Sequence, residues 1–150
     1  MAKFKFRLQS YLGVKEKIEE QKKLEYGKAV RKVEEEKRTK DAYETETAAQ
    51  LGEMRAEMAG RVSPEKFIQY KQYITHLERQ IIRQEAEIKR AEKHAESKRI
   101  ELLGAVKQRK MVDVLKEHKY TEYLEEEKIA EQKIVDEIVS FRFGNYDKSQ

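Results

Sequence analysis

The sequence predicts an all-α protein, an elongated two-helix antiparallel coiled-coil hairpin. Three observations carry that expectation. Alternating steps of three and four residues meet Phe67, Tyr70, Ile74, Leu77, Ile81, Gln84, Ile88, Ala91, Ala95, Lys98, Leu102, Ala105, Arg109 and Val112, and eleven of these fourteen are apolar. Apolar residues make up only 38% of the 150-residue chain and charged residues 41%, which is too little for a broad core and enough for a narrow seam. The single proline, Pro64, lies in Gly60-Arg61-Val62-Ser63-Pro64-Glu65-Lys66, where one helix ends and another begins.

Helix one is expected over about 4–59. Its seam runs through Tyr26, Val30, Val33, Lys37, Lys40, Glu44, Thr47, Leu51, Met54 and Met58, and six of the ten are apolar, so pairing is good at both ends and poor in the middle. The turn is expected at 60–63, with Gly60 ending helix one in a left-handed conformation. Ser63 can cap the orphan amides of helix two, Pro64 suits a position that needs no amide donor, and Glu65 complements the positive end of the dipole. Helix two is expected over about 64–141, followed by a short tail at 142–150, all within one domain. Gly13, Gly27, Gly52 and Gly104 fall inside the helices, where each costs about 1 kcal/mol relative to alanine.

At ~1.5 Å per residue the arms would be roughly 85 and 115 Å long, so the second outruns the first. With the turn centred near Val62, Leu51 faces Tyr73, Val33 faces Ala91, Ile18 faces Val106 and Phe4 faces Tyr120. The last ~20 residues of helix two then have no partner within the chain.

Several function classes fall away. The 33 basic and 29 acidic residues nearly cancel and are interleaved, and the net charge of +4 is too small and too dispersed to point to nucleic acid. With no cysteine there are no disulfides or thiolate metal sites, which fits a reducing compartment. Met1 to Leu8 alternates charged and apolar residues with no cleavage site, and no window approaches the ~18 apolar residues of a membrane span. A cytosolic or at most peripheral protein is expected. His76, His94 and His118 lie 18 and 24 residues apart with nothing to bring them together, and no glycine loop followed by a lysine-serine pair is present. Glu125, Glu126 and Glu127 would have no water-excluded cleft to shift their pKa. Neither an enzyme nor a cofactor is expected.

Two places are left with apolar groups that the hairpin does not bury. Mid-shaft, Lys40, Glu44 and Thr47 oppose the stretch with Leu77, Ile81, Ile82 and Ile88, near Tyr43 and Tyr73. Long charged stems can fold over such residues, or a partner can dock there. The second place is the C-terminal overhang, with Leu124, Ile129, Ile134, Val135, Ile138, Val139, Phe141 and Phe143.

The opening, Phe4-Lys5-Phe6-Arg7-Leu8-Gln9-Ser10-Tyr11-Leu12-Gly13, resembles the flagellar export FliJ family. So does the far end, Lys107-Gln108-Arg109-Lys110-Met111-Val112-Asp113-Val114-Leu115-Lys116, then Tyr123, Glu131-Gln132-Lys133 and Asp136-Glu137-Ile138. The resemblance implies a cytoplasmic, peripheral component of the flagellar type III export apparatus, in motile and chemotactic bacteria, at the cytoplasmic face of the inner membrane. It implies a coiled coil similar to a rotary ATPase stalk, whose partners are the hexameric export ATPase, the cytoplasmic domain of the membrane export gate, and export chaperones.

On this resemblance, Lys107, Arg109, Lys110, Lys116, Gln132, Lys133, Asp136 and Glu137 are expected to meet the ATPase, and Tyr43, Tyr73 and Leu77 the gate. Lys40, Thr47, Gln80 and Gln84 depart from the more apolar surface expected around the gate contact. Two alternatives stay open. A stalk subunit of a rotary ATPase proper would need a larger globular portion. A prefoldin-like chaperone would use apolar tips such as Met58, Val62 and Phe67. The seam could also pair two chains that exchange arms.

Overall fold

The structure is a computed structural model that describes residues 3–61 and 63–146. Two long helices pack against each other as a hairpin, α1 (Gln9–Met58) and α2 (Pro64–Tyr146). No strand occurs among the described residues. Val62 and Asp147 to Gln150 lie outside the described residues, and with them the expected centre of the turn and the end of the expected tail.

Helix one was expected from about Phe4, but α1 begins at Gln9. Phe4 and Phe6 are half-buried while Lys3, Lys5 and Arg7 are exposed, the two-residue alternation of an extended chain rather than a helical stripe. The Gln9 amide donates to the Phe6 carbonyl at 3.1 Å and closes the turn that starts α1. At the other end α2 runs past residue 141 to Tyr146.

The turn holds one correction. Gly60 does not adopt the left-handed conformation, since no described residue has positive φ. Its amide instead donates to the Glu57 carbonyl at 3.1 Å, a tight three-residue closure of the last turn of α1. Ser63 caps α2 as expected from its position: its Oγ accepts from the Lys66 amide at 3.3 Å.

The chain divides into two compact units. The unit Glu20–Gly104 contains the turn, and its buried apolar residues are Ala29, Val33, Ile74, Leu77 and Ala91. The unit made of Met1–Glu19 and Ala105–Gln150 contains both termini and buries Leu12, Ala105 and Val112. Within the first, Lys22 meets Glu101 and Lys98 meets Glu25; within the second, Lys15 donates to Gln108 and Phe4 meets Tyr120 edge to face. These pairs follow the antiparallel register expected from a turn near residue 62.

On α2, all fourteen positions from Phe67 to Val112 in the 4-3 count are buried or half-buried. On α1 the inward stripe is Tyr26, Ala29, Val33, Glu36, Lys40, Tyr43, Thr47, Gln50 and Met54. Every second step therefore lies one residue before the position that apolar size suggests. Val30 is 38% exposed while Ala29 is buried, Met58 is exposed at the end of α1, and Leu51 is half-buried beside Gln50.

Candidate partner-binding surfaces

The shaft seam is interrupted by polar residues; Gln84, Lys98 and Arg109 on α2 find partners on α1, whereas Thr47 and Gln50 bond back within α1 to Tyr43 and Glu46. Gln84, buried, donates its amide to the Glu36 backbone carbonyl at 3.0 Å and to the Glu36 carboxylate. Lys32 and then Gln84 hold the Glu36 carboxyl below the usual carboxylate range. Lys98 lies 3.4 Å from Glu25 and 3.3 Å from Glu101, and Lys22 lies 3.3 Å from Glu101. Hydrogen bonds to Glu101 and Glu25 raise the Lys98 pKa, and those from Lys22 and Lys98 lower that of Glu101. No buried side-chain nitrogen or oxygen is left without a hydrogen bond among the described residues.

Of the basic residues expected at the terminal end, Lys107 and Lys110 are exposed and Lys116 is half-buried. Arg109 is already committed: it donates to buried Glu19 on α1 and to Asp113 one turn on. The Glu19 hydrogen bond raises its pKa further, against a smaller lowering by burial. Arg109 thus ties the two helices together at this level. Gln132, Lys133, Asp136 and Glu137 are all exposed on α2, and a shallow groove runs between Lys133, Asp136, Glu137, Ser140 and Phe141.

The last turns of α2 present an open apolar surface. Leu124, Ile129, Ile134, Val135, Ile138, Val139, Phe141 and Phe143 are all exposed, Phe141 to 72%. Continuing the seam count past Val112 gives Lys116, Lys119, Tyr123, Glu126, Ala130, Lys133, Glu137 and Ser140, which is mostly polar. Tyr120, Leu124, Ile134, Ile138 and Phe141, all exposed, lie one residue after positions of this count, so the 4-3 pattern that holds α1 is not continued by apolar residues through the overhang. Between Glu122 and Phe143 there are seven acidic and three basic residues, so these apolar residues run through an acidic stretch of a chain whose net charge is +4.

At the base of the overhang Phe4 sits 5.2 Å from Tyr120, edge to face, and 5.5 Å from Tyr123. The Tyr123 hydroxyl donates to Glu127 at 2.5 Å, which raises its pKa. A cavity here is lined by Lys3 to Leu8 on one side and by Leu115, Lys119, Tyr123 and Glu126 on the other.

Of the three residues expected at the gate, Leu77 is 3% exposed and belongs to the seam, Tyr43 is half-buried, and Tyr73 is exposed and stacks on His76 with 6.4 Å between ring centroids. Ile82, 68% exposed, and Ile68 present apolar surface on the same helix. Among the described residues no group of three or more His, Cys, Asp or Glu could hold a metal ion, and no helix is long and apolar enough to cross a membrane.

The family model described as the flagellar FliJ protein matches residues 4–148. No curated protein matches the chain significantly. Among solved structures it is similar to CT670 from Chlamydia trachomatis, described as a YscO homolog, at 20% identity over 99% of this chain and 100% of that one, with a TM-score of 0.47.

Proposed function

The chain belongs to the flagellar FliJ family, and from that premise we propose that it is a non-enzymatic stalk for the hexameric ATPase of flagellar type III export. Its family makes it a component associated with type III export. In this reading the end of α2 enters the ATPase ring and promotes its assembly. Tyr43 and Tyr73 face the cytoplasmic domain of the export gate, with Leu77 holding that level of the seam from within. Export chaperones associate with the same protein, which works in the cytoplasm, peripheral to the inner membrane.

The observation that carries the proposal is the acidic, apolar stretch from Leu124 to Phe143, whose large apolar residues are exposed along the end of α2. Eight large apolar residues at an exposed helix end form a surface that a partner covers. The acidic residues around them select a ring lining that is basic as well as apolar.

Pull-down with the flagellar export ATPase, with and without nucleotide, tests it. The intact chain is expected to co-elute with the hexamer in a nucleotide-dependent way, and Ile134→Ser/Ile138→Ser/Phe141→Ser is expected to weaken binding at least tenfold. No binding in either nucleotide state would overturn the reading. Undiminished binding by the triple variant would move the contact away from the overhang.

A further inference from the structure

We propose that the polar layers within the unit Glu20–Gly104 are a register lock, which admits one alignment of α2 on α1 and rejects the alignments one heptad away. Two layers compose it. One is Gln84 with Glu36, which Lys32 also reaches at 2.8 Å. The other is the cluster of Lys22, Glu25, Lys98 and Glu101. Gln84 and Lys98 occupy seam positions of the 4-3 repeat, where an apolar residue would pack equally well in any heptad register.

The turn alone opposes sliding only weakly. Sliding α2 by one heptad relative to α1 moves the turn by three to four residues along the chain. The described residues from Arg55 to Lys66 are all exposed, so little buried surface is lost when the turn migrates through them. The Ser63 cap is forfeited when the turn moves toward α2. The seam's own apolar residues discriminate poorly, because Ile74, Ile81 and Ile88 are spaced by one heptad and replace one another on sliding.

The polar layers have no such redundancy. With the turn shifted toward α1, Glu36 falls opposite Leu77, Gln84 opposite Ala29 and Glu25 opposite Ala91. With the turn shifted toward α2, Glu36 falls opposite Ala91, Gln84 opposite Tyr43, and Lys98 opposite Lys32. In both directions the Glu36 carboxylate and the Gln84 amide exchange a mutual hydrogen bond for apolar or mismatched neighbours inside the seam. A stranded buried polar group is costly in a way that a matched one is not rewarding, so the layers act mainly by excluding the wrong alignments. Two chains that exchanged arms would form the same layers, so the lock specifies alignment and leaves chain number to the turn.

The cysteine-free sequence gives a direct readout, since any cysteine introduced is the only thiol of its kind. Lys40 and Glu85 meet across the helices at 3.2 Å, so Lys40→Cys/Glu85→Cys reports the observed register. Lys40→Cys/Glu78→Cys and Lys40→Cys/Glu92→Cys, at exposed positions of α2, report the two heptad slips. Treated with a short bis-maleimide, the chain with its native layers is expected to cross-link the first pair at least tenfold faster than either of the others. In the background Glu25→Leu/Glu36→Leu/Gln84→Leu/Lys98→Leu the three rates should converge to within about threefold, while circular dichroism shows helix content unchanged. A tenfold preference retained in that background overturns the proposal. The exchanged variant Glu36→Gln/Gln84→Glu keeps one amide and one carboxylate in the layer and is expected to keep the native preference. Loss of the preference there, with helix content intact, overturns it equally.

Discussion

The ring of Phe4 meets that of Tyr120 edge to face, with 5.2 Å between centroids and an interplanar angle of 68°. Phe4 lies in the non-helical segment ahead of α1, so this contact, with the second one to Tyr123, fastens the start of the chain to α2 where the overhang begins. Replacing Phe4 by Ala removes a half-buried ring and two aromatic contacts and is expected to cost about 2 kcal/mol. Urea unfolding followed by circular dichroism measures the loss. Faster amide exchange at Gln9 and Leu12 would locate it.

Leu77 and Ile82 separate seam from surface. Leu77→Ala opens a cavity at a residue 3% exposed and should cost about 3 kcal/mol, whereas Ile82→Ala, at 68% exposure, should change stability by less than about 0.5 kcal/mol. Binding to the cytoplasmic domain of the export gate should be weakened by Tyr73→Ala, which removes an exposed ring and leaves the fold intact. Equal loss of stability in both alanine variants would contradict the assignment of Leu77 to the seam.

Acid should loosen the helix pair. Hydrogen bonds from Lys32 and Gln84 hold Glu36 below the usual carboxylate range, those from Lys22 and Lys98 do so for Glu101, and Arg99 does so for Glu96. A carboxyl with a depressed pKa in the folded state contributes stability above its unfolded pKa and loses that contribution as pH falls through the folded value. The melting temperature should therefore be nearly level from about pH 7 to 5 and decline below about pH 4.5. Glu36→Gln should flatten the decline. A melting temperature that rises on acidification would be incompatible with these pairings.

Gly52 and Gly104 lie within helices, neither has positive φ, and a Cβ added at either would meet nothing within 4 Å. Alanine at each should therefore stabilise by about 0.5–1 kcal/mol, through the smaller entropy loss on helix formation. Thermal melts of the single variants and of the pair check both the sign and the additivity. A bend required at either glycine would show as destabilisation instead.

Asp136 and Glu137 flank the groove beside Phe141. Asp136→Lys/Glu137→Lys leaves exposed positions helical, so stability should change little, while stimulation of the export ATPase should fall by roughly tenfold if each lost contact is worth about 0.7 kcal/mol. Stimulation assayed at two salt concentrations separates charge from packing: the native effect should weaken with salt and that of the reversed variant should not.

Much of the fold was legible because a 4-3 repeat is a geometric statement. Once Phe67 to Val112 was seen to follow it, the inward face of α2 was determined, including the polar members Gln84, Lys98 and Arg109. The matching stripe on α1 was harder to place, because Ala29 and Glu36 carry weak or contrary hydrophobic signals while their neighbours Val30 and Lys37 keep the same count. What puts Ala29 and Glu36 inside is the facing helix, and the pairing of Glu36 with Gln84 is a relation between residues 48 apart. The same holds for Glu19, one of many glutamates on α1 until Arg109 is seen to reach it. Leu77 was expected at a partner surface, yet an apolar residue on a seam position is more strongly claimed by the adjacent helix. The start of α1 was missed because Phe4 and Phe6 are compatible with a helix by composition and only their alternation with Lys5 and Arg7 marks extended chain.

Phe141 and Phe143, each more than 70% exposed, stand at the end of a helix that offers them no shelter of its own. Left uncovered, such a tip is the kind of surface that holdases and proteases engage, so whatever shields these two rings also protects the chain.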